Sequence, residues 1–377
     1  MGILQRIFET AFATFAATQR LPKQVYVAAQ AVRTCRTAAL GGHVRRCPEG
    51  HVTAVWYNSC GHRACPQCGL RRIRQWLDAW QQLLLPTGHF HVIFTLPSEL
   101  HEVWRWNRQA MASLLFRCVK ETLFTLLDDP KWLGARPGVL ATLHTWSRTL
   151  ALHPHVHCLV TGGGVTRDGQ WQALSTEYLL PVAVVRKLFQ GQVLGGVERL
   201  WQSGQLVLPP SLTEDGFPRV LATAAGKQWN VRLLKQYPHG RGVVKYLARY
   251  VRGGPIKAQR LRAFDGQRVS LQTKLAGADV RLAVPEFLRR WSEHVPRPGF
   301  HMVRAWGLYA ATQRQPLEQC RRRLVQESGG RPFHPSPEAT QEEARWERCP
   351  TCGQPMLITE VWARGGAPPP ELLPEAA

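Results

Sequence analysis

Five cysteines lie between Cys35 and Cys68, and no other segment limits the possible folds of this chain so strongly. The segment has too few large apolar residues for a hydrophobic core, so metal binding would have to supply its folding free energy. Cys65-Pro-Gln-Cys68-Gly69 is typical of a zinc knuckle, and a tetrahedral site needs a second ligand pair. Cys47-Pro-Glu-Gly-His51 offers one, whereas Cys35 is more remote. We expect a structural zinc site whose ligands come from Cys47, His51, Cys60, Cys65 and Cys68.

A further cysteine pair, Cys349-Pro-Thr-Cys352, lies near the end of the chain. A reducing compartment favours metal binding by cysteines over disulfides, so this pair is interpreted as half of a metal site. Its partners stay open, with Cys320 as one candidate, and the alternative is that the pair binds nothing. From Ser336 onward the chain is acidic and rich in Pro and Gly, which predicts a loosely ordered tail.

The charge of the chain predicts a polyanionic partner. It has 48 Lys and Arg against 26 Asp and Glu, a formal net charge of +22, which favours nucleic acid or an anionic membrane surface. No stretch approaches the roughly 20 apolar residues of a membrane span, and no signal peptide is evident. We therefore expect a cytoplasmic, nucleoid-associated protein without a membrane partner. Residues 226–262 contain ten Lys or Arg and no acidic residue, which is typical of a phosphate-contacting surface.

Periodicity predicts an α+β fold with antiparallel strands. Helical spacing is found at 71–85, 99–128 and 242–252, and strand patterns at 89–97, 139–147, 155–161 and 228–236, with a further hairpin formed by QRVSLQT (267–273) and ADVRLAV (278–284). The predicted domains are an N-terminal helical segment (1–34), a zinc-binding and DNA-contacting module (35–86), a central domain (87–290) and a C-terminal extension (291–377).

Two histidines alternate in the strand pattern LHPHVHCLV. Residues i and i+2 of a strand share a face, so the imidazoles of His155 and His157 project together while Val156 points to the opposite side. If 139–147 and 155–161 form a hairpin, a register with an odd index sum adds His144 to that face. Neutral imidazoles bind divalent cations, which makes His155, His157 and His144 candidate metal ligands. Packed structural histidines are the alternative.

The segment KYLARYVR places Tyr246 and Tyr250 on one face of a predicted helix. A phenol is a weak nucleophile at neutral pH because its unperturbed pKa is about 10. Beside a metal-bound phosphate and the cations Lys245, Arg249 and Arg252, its deprotonation becomes accessible. The tyrosines are candidate nucleophiles and the three cations candidate ligands of DNA phosphate, with a packed aromatic pair as the alternative.

HPHVH followed by a glycine run, and then a helix with YLARY, resembles the HUH endonuclease superfamily. With NSCGHRACPQC, HFHVIFTLP and LGARPGVLATLHTW, the chain more narrowly resembles the rolling-circle insertion-sequence transposases that carry two tyrosines and a transposase zinc-binding domain. The resemblance runs from about Cys35 to Ile256. It departs from the family at Cys47 and His51, where many relatives are expected to carry a Cys-x-x-Cys knuckle, so the zinc ligand set stays open.

The resemblance implies an antiparallel HUH nuclease core at 87–290 beside a zinc-ribbon-like module. His155 and His157 would hold Mg²⁺ or Mn²⁺, and Tyr246 and Tyr250 would attack single-stranded DNA at insertion-sequence ends, which carry hairpins. Each attack would leave a 5′-phosphotyrosine and a free 3′-OH, so that rejoining needs no ATP. The chain has no G-x-x-x-x-G-K-[ST] phosphate loop, so strand separation is expected from a host helicase or the replication machinery.

Two other functions fit parts of the sequence. A non-catalytic, zinc-dependent DNA-binding regulator would use the basic surface while the histidines and tyrosines were structural. A transposase with three carboxylates and two metals would cut both strands without a covalent adduct, but the central basic region is poor in acidic residues.

Overall fold

The computed structural model describes residues 2–238, 240–244, 247, 254–273, 279–327 and 348–372. The chain divides into two compact units. Unit 1 comprises Met1–Gln75, Arg252–Pro298 and His334–Ala377, and unit 2 comprises Trp76–Val251 and Gly299–Phe333. The domain boundaries expected from the sequence, at 34, 86 and 290, stay a prediction, and unit 1 combines segments that are far apart in the chain.

Among the described residues, the predicted helical patterns at 1–34, 71–85 and 99–128 are largely helical, but four further helices, at 182–202, 217–226, 284–293 and 314–327, were not predicted. Residues 241–244 and 247 are also helical. The named helices are α1 Ile3–Ala17, α2 Lys23–Thr34, α3 Gly69–Leu83, α4 His101–Trp106, α5 Arg108–Leu127, α6 Val182–Gln202, α7 Phe217–Gly226, α8 Val284–Glu293 and α9 Arg314–Glu327.

Within the described part of the chain the strands form three antiparallel sheets, in agreement with the predicted α+β class. Unit 1 holds two three-stranded sheets, of order β12-β1-β2 and β10-β9-β8, and unit 2 holds a six-stranded sheet of order β11-β4-β5-β3-β7, with β6 against β5. The strands are β1 Gly42–Arg46, β2 Thr53–Tyr57, β3 His89–Thr95, β4 Arg136–Trp146, β5 Leu152–Val165, β6 Trp171–Ala173, β7 Val231–Leu233, β8 Leu261–Phe264, β9 Arg268–Leu271, β10 Val280–Ala283, β11 Val303–Gly307 and β12 Leu357–Trp362.

In unit 1 a contact joins the helices α1 and α8, and a sheet pairs strands from distant parts of the chain. The ring of Phe8 in α1 lies edge-on to Trp291 of α8, with centroids 4.6 Å apart. β12 pairs antiparallel with β1, from Gly42 opposite Trp362 to Arg46 opposite Leu357. The expected loosely ordered tail was therefore wrong for β12, because a partner strand some 300 residues away orders it rather than any local periodicity.

The six-stranded sheet of unit 2 is covered by apolar residues on both faces. On one face, Val156, Cys158 and Val160 of β5 belong to the large core that α5 and α6 complete. On the other face, Leu159 of β5 and Leu140 of β4 belong to a separate buried cluster. We call this second face the histidine face, because the odd-numbered residues of β5 include His155 and His157.

Candidate metal centre and cysteine clusters

The pairing of β4 with β5 brings three histidines together. His144 lies directly opposite His155, and Thr142 lies opposite His157, so the register has the odd index sum that places all three imidazoles on the histidine face. One ring nitrogen from each of His144, His155 and His157 lies within 4.8 Å of the others. The predicted hairpin is confirmed, and it assembles the predicted triad.

Burial keeps these imidazoles neutral. Desolvation lowers the pKa of His144 and His157 well below the usual value, and the nearby histidines lower it further. Desolvation also lowers the pKa of His155, to about 4. A neutral imidazole keeps a lone pair on one nitrogen, and that is the form that binds metal. The cluster therefore presents three nitrogen donors at neutral pH.

Hydrogen bonds fix how two of the rings are turned. His155 Nδ1 donates to the backbone carbonyl of His153 at 2.6 Å, which leaves the lone pair of His155 on Nε2. His157 Nδ1 lies 2.8 Å from Nε2 of His91 on the neighbouring strand β3. Such outer partners set the orientation and the tautomer of metal-binding histidines. The donor atoms are thus held in place by the protein before any ion binds.

His91 is a residue of this site that was not predicted from the sequence. It is buried, and its pKa is lowered to about 4 by desolvation and then by the charge of Arg232. The signal was present in the pattern His89-Phe90-His91, because alternate residues of a strand share a face. What the pattern could not show is that β3 pairs with β5, where Ile93 lies opposite His157.

A basic side chain lies in line with His157 across the neighbouring strands of the sheet. Ile93 of β3 lies opposite His157 on one side and Arg232 of β7 on the other, so Arg232 lies two strands away from His157 on the histidine face. Arg232 is exposed. Another residue of the predicted basic surface, Lys227, is engaged elsewhere, with its Nζ 2.5 Å from a carboxylate oxygen of Glu99.

The chain that leads to the predicted tyrosines packs on the histidine face. Val243, Val244 and Leu247 are buried with Leu140 and Leu159. A Cβ atom on Gly240 would lie 3.1 Å from both the His89 ring and the Leu159 side chain, so the backbone passes close to the sheet here. Other predicted site residues lie outside the described residues, namely Tyr246, Tyr250, Lys245, Arg249 and Arg252.

The cysteines of unit 1 form two groups rather than the single set expected from the sequence. Cys35, Cys60, Cys65 and Cys68 have their sulfur atoms within 4.8 Å of one another. Hydrogen bonds from the other three thiols lower the pKa of Cys68, which favours the thiolate that zinc binds. Cys35, which seemed remote in sequence, is therefore part of the four-sulfur cluster.

The second group combines Cys47 and His51 with the late pair Cys349 and Cys352, again with all four donor atoms within 4.8 Å. Cys320, the partner considered from the sequence, lies instead with Leu317 and Leu324 in the apolar cluster of unit 2. The spacing along the chain predicted that Cys47 and His51 share an ion with Cys65 and Cys68. In the structure the Cys47 sulfur lies instead beside that of Cys352, 305 residues away.

Two family models match the chain. One, described as "Transposase zinc-binding domain", matches residues 7–96, and the other, described as "Putative transposase", matches residues 138–316. "Putative transposase y4qJ" of Sinorhizobium fredii (strain NBRC 101917 / NGR234) is 34% identical over 363 residues, 90% of each chain. The chain belongs to the IS91 family of rolling-circle transposases.

A second relative of this IS91-family chain is the transposase for insertion sequence element IS801 of Pseudomonas savastanoi pv. phaseolicola. It is 33% identical over 291 residues, which is 73% of this chain and 68% of the relative. Among solved structures, the metal-bound complex of the conjugative relaxase TrwC with oriT DNA aligns with 42% of this chain and 69% of its own, at 12% identity and a TM-score of 0.23.

Each of the two family models covers a different group of candidate site residues. The zinc-binding match contains the four-sulfur cluster together with Cys47 and His51, and the transposase match contains His144, His155 and His157. Cys349 and Cys352 lie beyond both matches. Among the described residues, no helix is both long and apolar enough to cross a membrane.

Proposed function

We propose that this transposase nicks and rejoins single-stranded DNA at the ends of its insertion sequence through a 5′-phosphotyrosine intermediate. The observation that carries the proposal is the triad of His144, His155 and His157 on a sheet face where the residues just before Tyr246 also pack. The proposal assigns the triad to a divalent cation and assigns Tyr246 and Tyr250 to the nucleophiles.

The donor set of the triad fits a first-row divalent cation. Three neutral imidazole nitrogens are softer donors than Mg²⁺ prefers, because Mg²⁺ favours oxygen ligands and keeps its waters. Mn²⁺ accepts both imidazole and oxygen ligands, so we expect it to support the reaction at least as well as Mg²⁺. When bound, the cation would withdraw charge from a nonbridging oxygen of the scissile phosphate.

The residues of the chain carry out the remaining steps. A tyrosine Oη loses its proton and attacks the phosphorus, so that an Oη–P bond forms while the bond from phosphorus to the 3′ oxygen breaks. The 3′ oxygen takes up a proton and leaves as a free hydroxyl. A 3′-hydroxyl of the same or another strand reverses the step, and two tyrosines allow two such transfers in succession.

Positive charge beside the triad favours the negatively charged substrate. Arg232 lies on the histidine face and is exposed, so its guanidinium is available to a DNA phosphate. Lys245, Arg249 and Arg252 have the same proposed role. The four-sulfur cluster of Cys35, Cys60, Cys65 and Cys68 is assigned to structural zinc. We further propose that the DNA ends carry hairpins and that a host helicase or replication exposes the single strand.

The test is the covalent adduct itself. The purified transposase is incubated with Mn²⁺ and labelled single-stranded oligonucleotides spanning both ends of its element, and the products are separated under denaturing conditions. We expect a protein-linked label that disappears in Tyr246→Phe/Tyr250→Phe. The exposed Tyr178 provides a matched control, because Tyr178→Phe should keep the adduct.

Peptide mapping of the labelled protein decides between the outcomes. Label on Tyr246 or Tyr250 supports the assignment, whereas label on any other residue refutes it. Specific binding without cleavage under any divalent cation would favour the DNA-binding regulator instead. In a parallel reaction with a labelled duplex of the same ends, cutting of both strands without a covalent adduct would favour the three-carboxylate mechanism.

A further inference from the structure

In each knuckle of the second cysteine group a backbone hydrogen bond from a glycine closes the turn, over three residues in the first knuckle and four in the second. The N–H of Gly50 donates to the carbonyl of Cys47 at 3.0 Å, and the N–H of Gly353 donates to the carbonyl of Cys349 at 2.8 Å. Both glycines adopt a positive φ, +74° and +72° respectively, which glycine tolerates without strain. Two turns of this kind face each other in zinc ribbons, because each presents two ligands to one ion.

The donor distances match a tetrahedral zinc site. Zn–S bonds of about 2.3 Å and Zn–N bonds of about 2.0–2.1 Å place neighbouring ligand atoms about 3.5–3.8 Å apart. The Sγ atom of Cys47 lies 3.6 Å from Nδ1 of His51 and 3.5 Å from Sγ of Cys352. A disulfide would need a sulfur separation near 2.05 Å. Cys47, Cys349 and Cys352 are not in disulfides, and neither is Cys320.

Side-chain packing holds β12 to the rest of unit 1 mainly through Trp362, whose ring lies edge-on to Tyr57 with centroids 6.0 Å apart. Three other large apolar side chains of β12 are mostly exposed, Leu357 at 54%, Ile358 at 56% and Val361 at 74%. Its ion pair, Arg46 with Glu360, is solvent-exposed, and such pairs contribute little to stability. Pairing β12 with β1 also closes a loop of about 300 residues, which costs conformational entropy. A cross-link at the end of β12 would offset this cost.

We propose that Cys47, His51, Cys349 and Cys352 bind a second zinc ion, separate from the four-sulfur site. This ion joins residues 348–372 to the N-terminal zinc-binding domain and completes the sheet β12-β1-β2. The domain is therefore assembled from both ends of the chain, and a chain that stops before Cys349 would lack one ion and one strand.

Metal content gives the first test. The full-length transposase, purified and freed of loose metal by gel filtration, is analysed by plasma mass spectrometry. We expect two zinc ions per wild-type chain and one in Cys349→Ala/Cys352→Ala. Cys320→Ala is the matched control, because it removes a buried cysteine outside both groups and should keep two ions. One ion in the wild type, or two ions in the double variant, would overturn the proposal.

A second test exchanges one proposed ligand for another, so that the site keeps four donor atoms. His51→Cys should still hold two ions, and after exchange for Co²⁺ its thiolate-to-metal absorption should rise by about one-seventh, because seven thiolates become eight. Cys320→Ala should leave that absorption unchanged. If His51→Cys gave the wild-type spectrum, His51 would not be a ligand and the proposed donor set would be refuted.

Discussion

Replacing His91 with alanine tests whether the neighbouring strand tunes the metal centre. The substitution removes the 2.8 Å hydrogen bond between His91 Nε2 and His157 Nδ1 but leaves His144, His155 and His157 in place. The ring of His157 then loses the partner that fixes its orientation and tautomer. Loss of such an outer partner typically lowers metal affinity 10–100-fold, which corresponds to about 1.4–2.7 kcal/mol of binding free energy.

The assay is a Mn²⁺ titration of the full-length protein, with free Mn²⁺ followed by electron paramagnetic resonance. We expect a 10–100-fold rise in Kd for His91→Ala and a smaller one for His91→Asn, whose amide can still hydrogen-bond to His157. His301 is exposed, so His301→Ala controls for the loss of an imidazole elsewhere and should keep the wild-type Kd. A Kd for His91→Ala within twofold of wild type would refute the positioning role.

Three further predictions concern the stability of the fold. Asn107 makes three hydrogen bonds to backbone groups, two of them with Val207, so Asn107→Ala should lower the free energy of unfolding by about 2–4 kcal/mol in urea titrations. Gly307 has a φ of +58°, and a Cβ there would lie 1.8 Å from the carbonyl oxygen of Pro137, so Gly307→Ala should cost at least about 1–3 kcal/mol, whereas an unchanged urea midpoint would contradict the backbone geometry. Hydrogen bonds from nearby arginines lower the pKa of Glu286 to about 2. Its stabilisation is present above pH 4.5 and is lost as the pH falls toward 2, so wild type should lose more stability than Glu286→Gln over that range.

The local part of the metal centre could be predicted from the sequence. The strands of the 139–147 and 155–161 patterns follow each other directly, so a hairpin was the simplest pairing, and the two-residue period then fixed the face of each histidine. His144 joins that face only in a register with an odd index sum, which the sequence left open and the structure supplies.

The non-local part could not be predicted in the same way. His91 belongs to a strand that is separated from β5 by two helices and a strand, and periodicity gives the face of a strand but not its neighbour. The cysteine spacing likewise identified ligand pairs but not which pairs share an ion. Cys47 and Cys352 are brought together by the pairing of β1 with β12, and no local signal marks that pairing.

The apolar packing on the opposite face of the sheet helps to fix the pairing of β4 with β5 that brings the three histidines together. Val156 and Cys158 alternate with His155 and His157 along β5 and are fully buried under α5 and α6. A shift of one residue in the pairing would turn the histidines into that apolar core and the apolar side chains toward the metal face. Burial of unpaired imidazoles is costly, so the core that stabilises the sheet also excludes the registers that would turn the histidines away from their shared face.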